Sequence, residues 1–116
     1  MPTATAKKPK ATAVESDPIV IQWKGGVNDS ATVVPVPGQR NVVEIHGVRA
    51  DDGACVFVAI QANLRVTGQI RNGVATIEFS PHDSLCVAVS VWALYATVDG
   101  RPYSVARGRL HPANQK

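Results

Sequence analysis

Residues 85–110, LCVAVSVWALYATVDGRPYSVARGRL, are the stretch that decides the fold. The first 14 residues of this stretch, 85–98, are almost wholly apolar, and Asp99-Gly100 follows them directly. An Asp-Gly pair between two such runs favours a type I′ turn, because that turn needs a positive φ at both central residues. We therefore predict a β-hairpin whose first strand either bends at a bulge or is buried on both faces.

The register of this hairpin brings an indole and several arginines together. Counting back from the turn places Trp92 opposite Arg107 and leaves neither face plainly polar. Arg101 and Arg109 fall on the same side as Arg107, so a cation–π pair with Trp92 is one interpretation. Trp and Arg are enriched at interface hot spots, and Trp92, Arg107 and Arg109 are therefore candidate partner-binding residues. The alternative is that Trp92 simply fills the core.

A second hairpin is predicted over residues 65–80, with Asn72-Gly73 as its turn. This register separates an apolar face from a polar face, and Arg65 lies diagonal to Glu78 on the polar side. Such a hairpin belongs on the outside of a sheet with one wet face. The pairs on its apolar face are Ile70–Ala75, Gly68–Ile77 and Val66–Phe79.

Further apolar runs indicate strands at 19–24, 31–36, 41–48 and 54–60. Pro35 and Pro37 make the second an edge strand, and Gly47 marks a bulge or kink in the third. We read residues 80–84 as a loop. The chain is therefore predicted to be all-β, a seven- to eight-stranded antiparallel β-sandwich of immunoglobulin-like or jelly-roll-like type. An OB-like barrel is the alternative.

The 116 residues suffice for one domain. We expect residues 1–18 to form an extended, flexible, basic N-terminal arm, 19–111 to form the sandwich, and 112–116 to form a C-terminal tail. Lys7, Lys8 and Lys10 lie in the arm and are candidate partner-binding residues. Nucleic-acid binding is not expected, because a positive tail alone supplies only non-specific attraction.

The cysteines and the apolar runs bear on the environment of the protein. Cys55 and Cys86 could form a disulfide if their strands are neighbours, but two buried thiols are the favoured interpretation. The chain lacks an apolar run of about 18 residues and an apolar segment near its N-terminus, so we expect neither a membrane span nor export.

Residue types that carry chemistry do not form a recognisable pattern. The histidines are scattered, at His46, His82 and His111. His82-Asp83-Ser84 has the residue types of a catalytic triad, yet sequence neighbours cannot adopt its relay geometry. Asp51 and Asp52 are typical of a turn rather than of a calcium site. We expect no enzyme, no catalytic residue, no cofactor and no metal.

Two hairpin sequences carry a resemblance to a known family. YATVDGRPYSVARGRL at 95–110 and RNGVATI at 71–77 resemble the final and middle hairpins of small β-sandwich accessory proteins of tailed-bacteriophage virions. Capsid cement (decoration) proteins and related tail or baseplate adaptor domains belong to this group. The resemblance implies a non-enzymatic virion structural protein, assembled in the host cytoplasm, with an N-terminal arm similar to those that lace cement proteins onto neighbouring capsid subunits.

The expected partner is then the major capsid protein or another virion protein, and a homo-oligomer stays open. A capsid cement protein that stabilises the shell is the first interpretation, and a tail or baseplate adaptor is the second. A cellular carbohydrate- or protein-binding sandwich module is a different class that also fits the composition. An OB-like nucleic-acid binder is the remaining alternative.

Overall fold

The chain folds into eight strands and one short helix over residues 18–25, 30–85 and 87–111, which a computed structural model describes. Strands make up 61% of the described residues and helix 6%, so the predicted all-β class is confirmed. The elements are β1 Ile19–Gln22, β2 Ala31–Val33, β3 Asn41–His46, β4 Gly53–Ala59, β5 Leu64–Arg71, β6 Val74–Phe79, α1 Pro81–Leu85, β7 Ser90–Val98 and β8 Arg101–Leu110. Residues 1–17 of the arm predicted at 1–18, Cys86 and the tail predicted at 112–116 lie outside the described residues.

All eight strands belong to one mixed sheet, in the order β1-β3-β6-β5-β4-β7-β8-β2. Neighbouring strands are antiparallel except at the two edges, where β1 runs parallel to β3 and β2 runs parallel to β8. This sheet is nearly closed into a barrel, whereas we predicted two antiparallel sheets facing each other. The sandwich prediction differs from the structure because the sheet curls until the inner faces of all its strands share one core. The eight-stranded order also differs from the five-stranded OB layout.

Aromatic rings from three strands fill the middle of this core. The ring of Phe57 stacks on Trp92 with centroids 5.0 Å apart and meets Phe79 edge-on at 5.3 Å. All three side chains are buried, and they come from β4, β7 and β6 respectively. Phe57 and Trp92 lie on adjacent strands, but β5 separates Phe57 from Phe79, and a ring contact across that gap requires a curved inner face.

The Asn72-Gly73 hairpin forms as predicted. Both turn residues have positive φ, 52° and 79°, and Ile70 pairs with Ala75. The paired ladder reaches from Arg71–Val74 to Gly68–Ile77, so it is shorter than the predicted one. Its outer face is exposed, in agreement with the expected wet face.

The Asp99-Gly100 turn is also confirmed, with φ values of 51° and 82°. Ala96 pairs with Tyr103 as predicted, but the register shifts between Leu94 and Tyr95. From there Leu94 pairs with Ala106 because Val105 is an extra residue on β8. The predicted pairing beyond this bulge was therefore wrong by one residue.

Trp92 consequently lies opposite Gly108, and Arg107 lies opposite Ala93. A one-residue shift moves a side chain to the other face of the sheet. Arg107 and Arg109 are exposed outside the barrel, whereas Trp92 points into the core with 1% of its surface exposed. The predicted Trp92–Arg107 cation–π pair is therefore wrong.

The predicted strand over 85–98 is shorter than expected, since β7 begins at Ser90. Residues 80–84 were predicted to be a loop, whereas Pro81–Leu85 form the helix α1. Ser80 caps this helix: its hydroxyl accepts from the Asp83 N–H at 3.0 Å, and the Asp83 carboxylate accepts from the Ser80 N–H at 3.0 Å. This reciprocal arrangement is a capping box, and it explains why turn-forming residues begin a helix here.

The prolines and Gly47 act as the sequence indicated. β2 lies at the sheet edge and ends at Val33, ahead of Pro35. β3 ends at His46, and Gly47 follows with a φ of 86°. A Cβ at Gly47 would collide with the backbone carbonyl of Trp23, so this position also needs glycine for space.

Candidate functional site

An apolar and arginine-bearing surface lies on the outside of strands β4, β7 and β8. We call it the outer patch, and it consists of Val58, Ile60, Val91, Ala93, Tyr95, Arg107 and Arg109. A shallow depression of about 470 Å³ lies over it. Strand alternation builds this surface, because residues 91, 93 and 95 point outward while Trp92 and Leu94 point into the core.

Large apolar side chains are unusually exposed in the outer patch. The exposed fractions are 72% for Ile60, 50% for Val91 and 44% for Tyr95. Single exposed apolar residues are ordinary, but several on one face with a shallow depression indicate an interaction surface. Tyr95 also offers a hydroxyl, and a Tyr with that combination of ring and polar tip is a common interface anchor.

The arginines flank this apolar centre along β8. Arg107 pairs with Ala93, and Arg109 pairs with Val91, so each guanidinium-bearing residue neighbours an apolar residue of β7. The described residues that line the depression include no aspartate or glutamate. The outer patch is therefore positive as well as apolar.

Trp92 was predicted to be a partner-binding residue; it borders the depression, but its side chain is buried and points into the core. Its indole stacks on Phe57, and its Nε1 donates a hydrogen bond to the carbonyl oxygen of Ala31 at 3.1 Å. Tyr95 lies on the outer face instead, and the unbroken register predicted from the sequence had put Arg107 on the face of Trp92 rather than on that of Tyr95. Gly108 was the available signal, since a glycine opposite a tryptophan leaves room for an inward indole.

A second concave surface lies at one end of the barrel, and we call it the end groove. Its volume is about 740 Å³. One wall comes from the residues that follow β1 and β3, and the other comes from the β7–β8 hairpin. Its lining residues are Trp23, Lys24, Gly25, Gly47, Arg49, Val98, Asp99, Arg101, Tyr103, Ser104 and Val105.

The acidic residues considered as ligands instead hold turns. The Asp52 carboxylate accepts from the Asn72 N–H at 3.0 Å, and the Asp51 carboxylate accepts from the Gly100 N–H at 3.3 Å. Each aspartate thus ties the 51–53 loop to the tip of a hairpin. Among the described residues, no three His, Cys, Asp or Glu side chains come together as a metal-binding group.

The remaining chemistry-bearing candidates are engaged locally. His46 Nε2 lies 3.1 Å from a carboxylate oxygen of Glu44, two residues away on β3. The Ser84 hydroxyl is buried and accepts from the Gly38 N–H at 2.9 Å, so it fastens α1 to the loop before β3. His82, Asp83 and Ser84 are therefore not arranged as a triad. Lys7, Lys8 and Lys10 lie outside the described residues.

Two titratable side chains outside these surfaces have shifted pKa values. Burial raises the pKa of the Cys55 thiol, and a backbone hydrogen bond at Gly68 partly opposes this. A hydrogen bond from Arg40 lowers the pKa of Glu78, with charge attraction between them adding to the effect. Arg40 is thus the partner of Glu78, whereas the sequence predicted Arg65 to lie diagonal to it.

The chain was compared with protein-family models and with curated proteins. No family model and no curated protein matches the chain. In the described part of the chain, no helix has the length and apolar character needed to cross a membrane. The outer patch and the end groove are concave surfaces of the described part of the chain, and the proposals below rest on them.

Proposed function

We propose that this protein is a non-enzymatic binding module that docks on another protein through the outer patch. The observation that carries the proposal is the exposure of Ile60, Val91 and Tyr95 beside Arg107 and Arg109. Apolar side chains at the centre and arginines at the margin are the composition of an interface whose middle is desolvated on binding. The chemistry needed for this role is surface complementarity, so no reacting group is required.

The charge of the outer patch restricts the partner. Two copies meeting through this face would bring the Arg107 and Arg109 side chains of both copies into one interface. Burying like charges together is costly, so a symmetric dimer through the outer patch is disfavoured. The partner surface instead carries carboxylates around an apolar centre, where each arginine can form a charge-assisted hydrogen bond.

For the assembly in which this docking takes place, we follow the resemblance to tailed-bacteriophage accessory proteins. The proposed role is a capsid cement (decoration) protein, and the proposed partner is the major capsid protein. The resemblance rests on the hairpins at 71–77 and 95–110, and the second of these contributes Tyr95, Arg107 and Arg109 to the outer patch. A basic N-terminal segment at 1–18 would add a second contact, and repeated attachment to a symmetric shell would convert weak contacts into high avidity.

The docking proposal is tested with purified icosahedral particles and the full chain, by sedimentation at increasing protein concentration. Tyr95→Ala and Arg107→Glu should each weaken binding by roughly 30-fold, the effect of losing about 2 kcal/mol at a hot spot. Arg71→Ala is the matched control, because Arg71 is an exposed arginine on β5 away from the outer patch. Wild-type binding by both patch variants would rule out docking through this surface.

The virion assignment is tested separately. A cement protein should be present in hundreds of copies per particle, whereas a tail or baseplate adaptor has a few tens at most, so quantitative gel staining of particles distinguishes them. Deleting residues 1–18 should leave the domain folded but reduce its retention on the particle. The protein could instead be absent from particles and bind a cellular protein through the outer patch. That result would contradict the virion assignment and support a cellular binding module, while the proposed docking surface would stand.

A further inference from the structure

The end groove has a cation and an aromatic ring on each of its two walls. Trp23 and Arg49 come from the segments after β1 and β3, and Arg101 and Tyr103 come from the start of β8. Lys24 adds a further positive side chain, while Asp99 is the acidic residue among the described lining residues. This groove adjoins the outer patch at Ser104, which lines both, but its cations and aromatic rings lie outside the patch and have no role in the docking proposed above.

Both kinds of side chain are accessible to a ligand. Lys24, Arg49 and Arg101 are all exposed, and Tyr103 is 52% exposed. Trp23 is half-buried and packs against the core with part of its ring, which fixes the position of the remainder in the groove. A charged ligand entering the groove would therefore meet cations on both sides and a ring on each wall.

The open edge of β8 is poorly suited to an added peptide strand. β2 pairs with β8 over Gly108–Leu110, so the earlier part of β8 has no neighbour on that side among the described strands. Pro102 lacks the N–H that an added strand would need, and the bulge at Val105 interrupts the regular backbone of β8. Proline and bulges are the features that protect an edge against strand addition.

We propose that the end groove binds single-stranded nucleic acid. Phosphates would be met by Lys24, Arg49 and Arg101, while bases would stack on Tyr103 and on the exposed part of Trp23. Cations that track a phosphate backbone, together with aromatic platforms for the bases, are the two elements of sequence-tolerant single-strand binding. An acidic peptide would use the charges but would leave the two rings without a matching π-face.

The number of cations in the groove predicts how strongly the affinity for single-stranded nucleic acid depends on salt. Three cations that each neutralise one phosphate of a single strand give a slope of about −2 for log affinity against log salt. Affinity should therefore fall roughly 15- to 20-fold between about 50 mM and about 200 mM salt. Loss of one stacked base should weaken binding by at least about fivefold.

The experiment uses the full chain and a fluorescein-labelled oligothymidylate of about ten nucleotides, followed by anisotropy. Tyr103→Ala should lower affinity at least about fivefold, and the double variant Arg49→Ala/Arg101→Ala should bring the salt slope to about −0.7. Arg65→Ala, an exposed arginine on β5 toward the other end of the barrel, is the matched charge control and should bind as wild type. Tyr95→Ala should also bind as wild type, which separates this site from the outer patch.

Three results would overturn the proposal. The first is the absence of binding by the wild-type chain at low salt. The second is displacement of the oligonucleotide by poly-glutamate at equal charge, because a general polyanion site makes no use of the rings. The third is affinity that depends on Lys7, Lys8 and Lys10 while Tyr103→Ala and the double arginine variant bind as wild type, because the N-terminal lysines would then be the binding element.

Discussion

The indole Nε1 of Trp92 donates a hydrogen bond to the carbonyl oxygen of Ala31 at 3.1 Å, although two strand spacings separate the residues. Trp92 on β7 pairs with Gly108 on β8, and Gly108 pairs in turn with Ala31 on β2. Gly108 has no side chain, so the indole can pass over it to reach the edge strand. Trp92, Gly108 and Ala31 therefore lie side by side across three strands. Their contacts explain why the indole points inward, why position 108 is a glycine and how the short strand β2 is attached.

Trp92→Phe tests the core role of this tryptophan. The phenyl ring fills less space and leaves the Ala31 carbonyl without its indole donor, so we expect a loss of about 1–3 kcal/mol in the free energy of unfolding. Urea denaturation measures this loss, and partner binding should be unchanged once the protein is folded. Tyr95→Phe on the outer face of the same strand is the control and should shift stability by less than about 0.5 kcal/mol. If the variant kept its stability but bound the partner more weakly, Trp92 would act in partner binding rather than in the core.

Gly108→Ala tests the close approach of β2 to β8. A Cβ at this position would overlap the Ala31 carbonyl, and because the three nearest atoms are all backbone atoms of Ala31, the strand itself would have to shift. We expect destabilisation of about 1–3 kcal/mol or more, together with faster amide hydrogen exchange in β2. Ser104→Ala, an exposed change on the same strand, provides the comparison. A fully stable Gly108→Ala protein with protected β2 amides would contradict this account of the edge.

The ion pair between Arg40 and Glu78 predicts a specific titration. Its hydrogen bond holds the pKa of Glu78 below the usual range, so the pair stabilises the fold above the ordinary glutamate pKa. That contribution is lost as the pH falls through the lowered pKa of the folded state. Arg40→Gln should raise the pKa of Glu78 toward its ordinary value in an NMR titration, whereas Arg65→Gln should leave it unchanged. The opposite pattern would support the diagonal pair inferred from the sequence.

Cys55 should be an unreactive thiol in the folded protein. It is a free cysteine with 1% exposure, and burial raises the pKa of its thiol, so the reactive thiolate is scarce. In a Cys86→Ser variant, a thiol reagent should modify Cys55 at the rate of unfolding and rapidly in denaturant. Because the raised pKa favours the neutral folded form, this group stabilises the fold below the ordinary cysteine pKa and loses that effect at higher pH. Rapid labelling of the native variant would show that Cys55 is accessible.

Local features of the fold could be read directly from the sequence. Asn72-Gly73 and Asp99-Gly100 mark their turns because few residues adopt positive φ at both positions. The alternation of apolar and polar residues along 65–80 identified the solvent-exposed face of that hairpin, and Pro35 identified an edge strand. Both features depend on nearby residues alone. The helix at 81–85 was missed because its start depends on a reciprocal bond between Ser80 and Asp83, although that spacing was visible in the sequence.

The sequence by itself determined the all-β class, the two hairpin turns and the register close to them, because these follow from backbone conformation and short-range alternation. Only the tertiary structure decided how the sheet closes and which residues face outward at 90–110. The bulge at Val105 depends on the fit of Trp92 over Gly108 to β2, a strand more than 50 residues earlier in the chain. Such long-range packing sets the register beyond the bulge, and with it the membership of the outer patch.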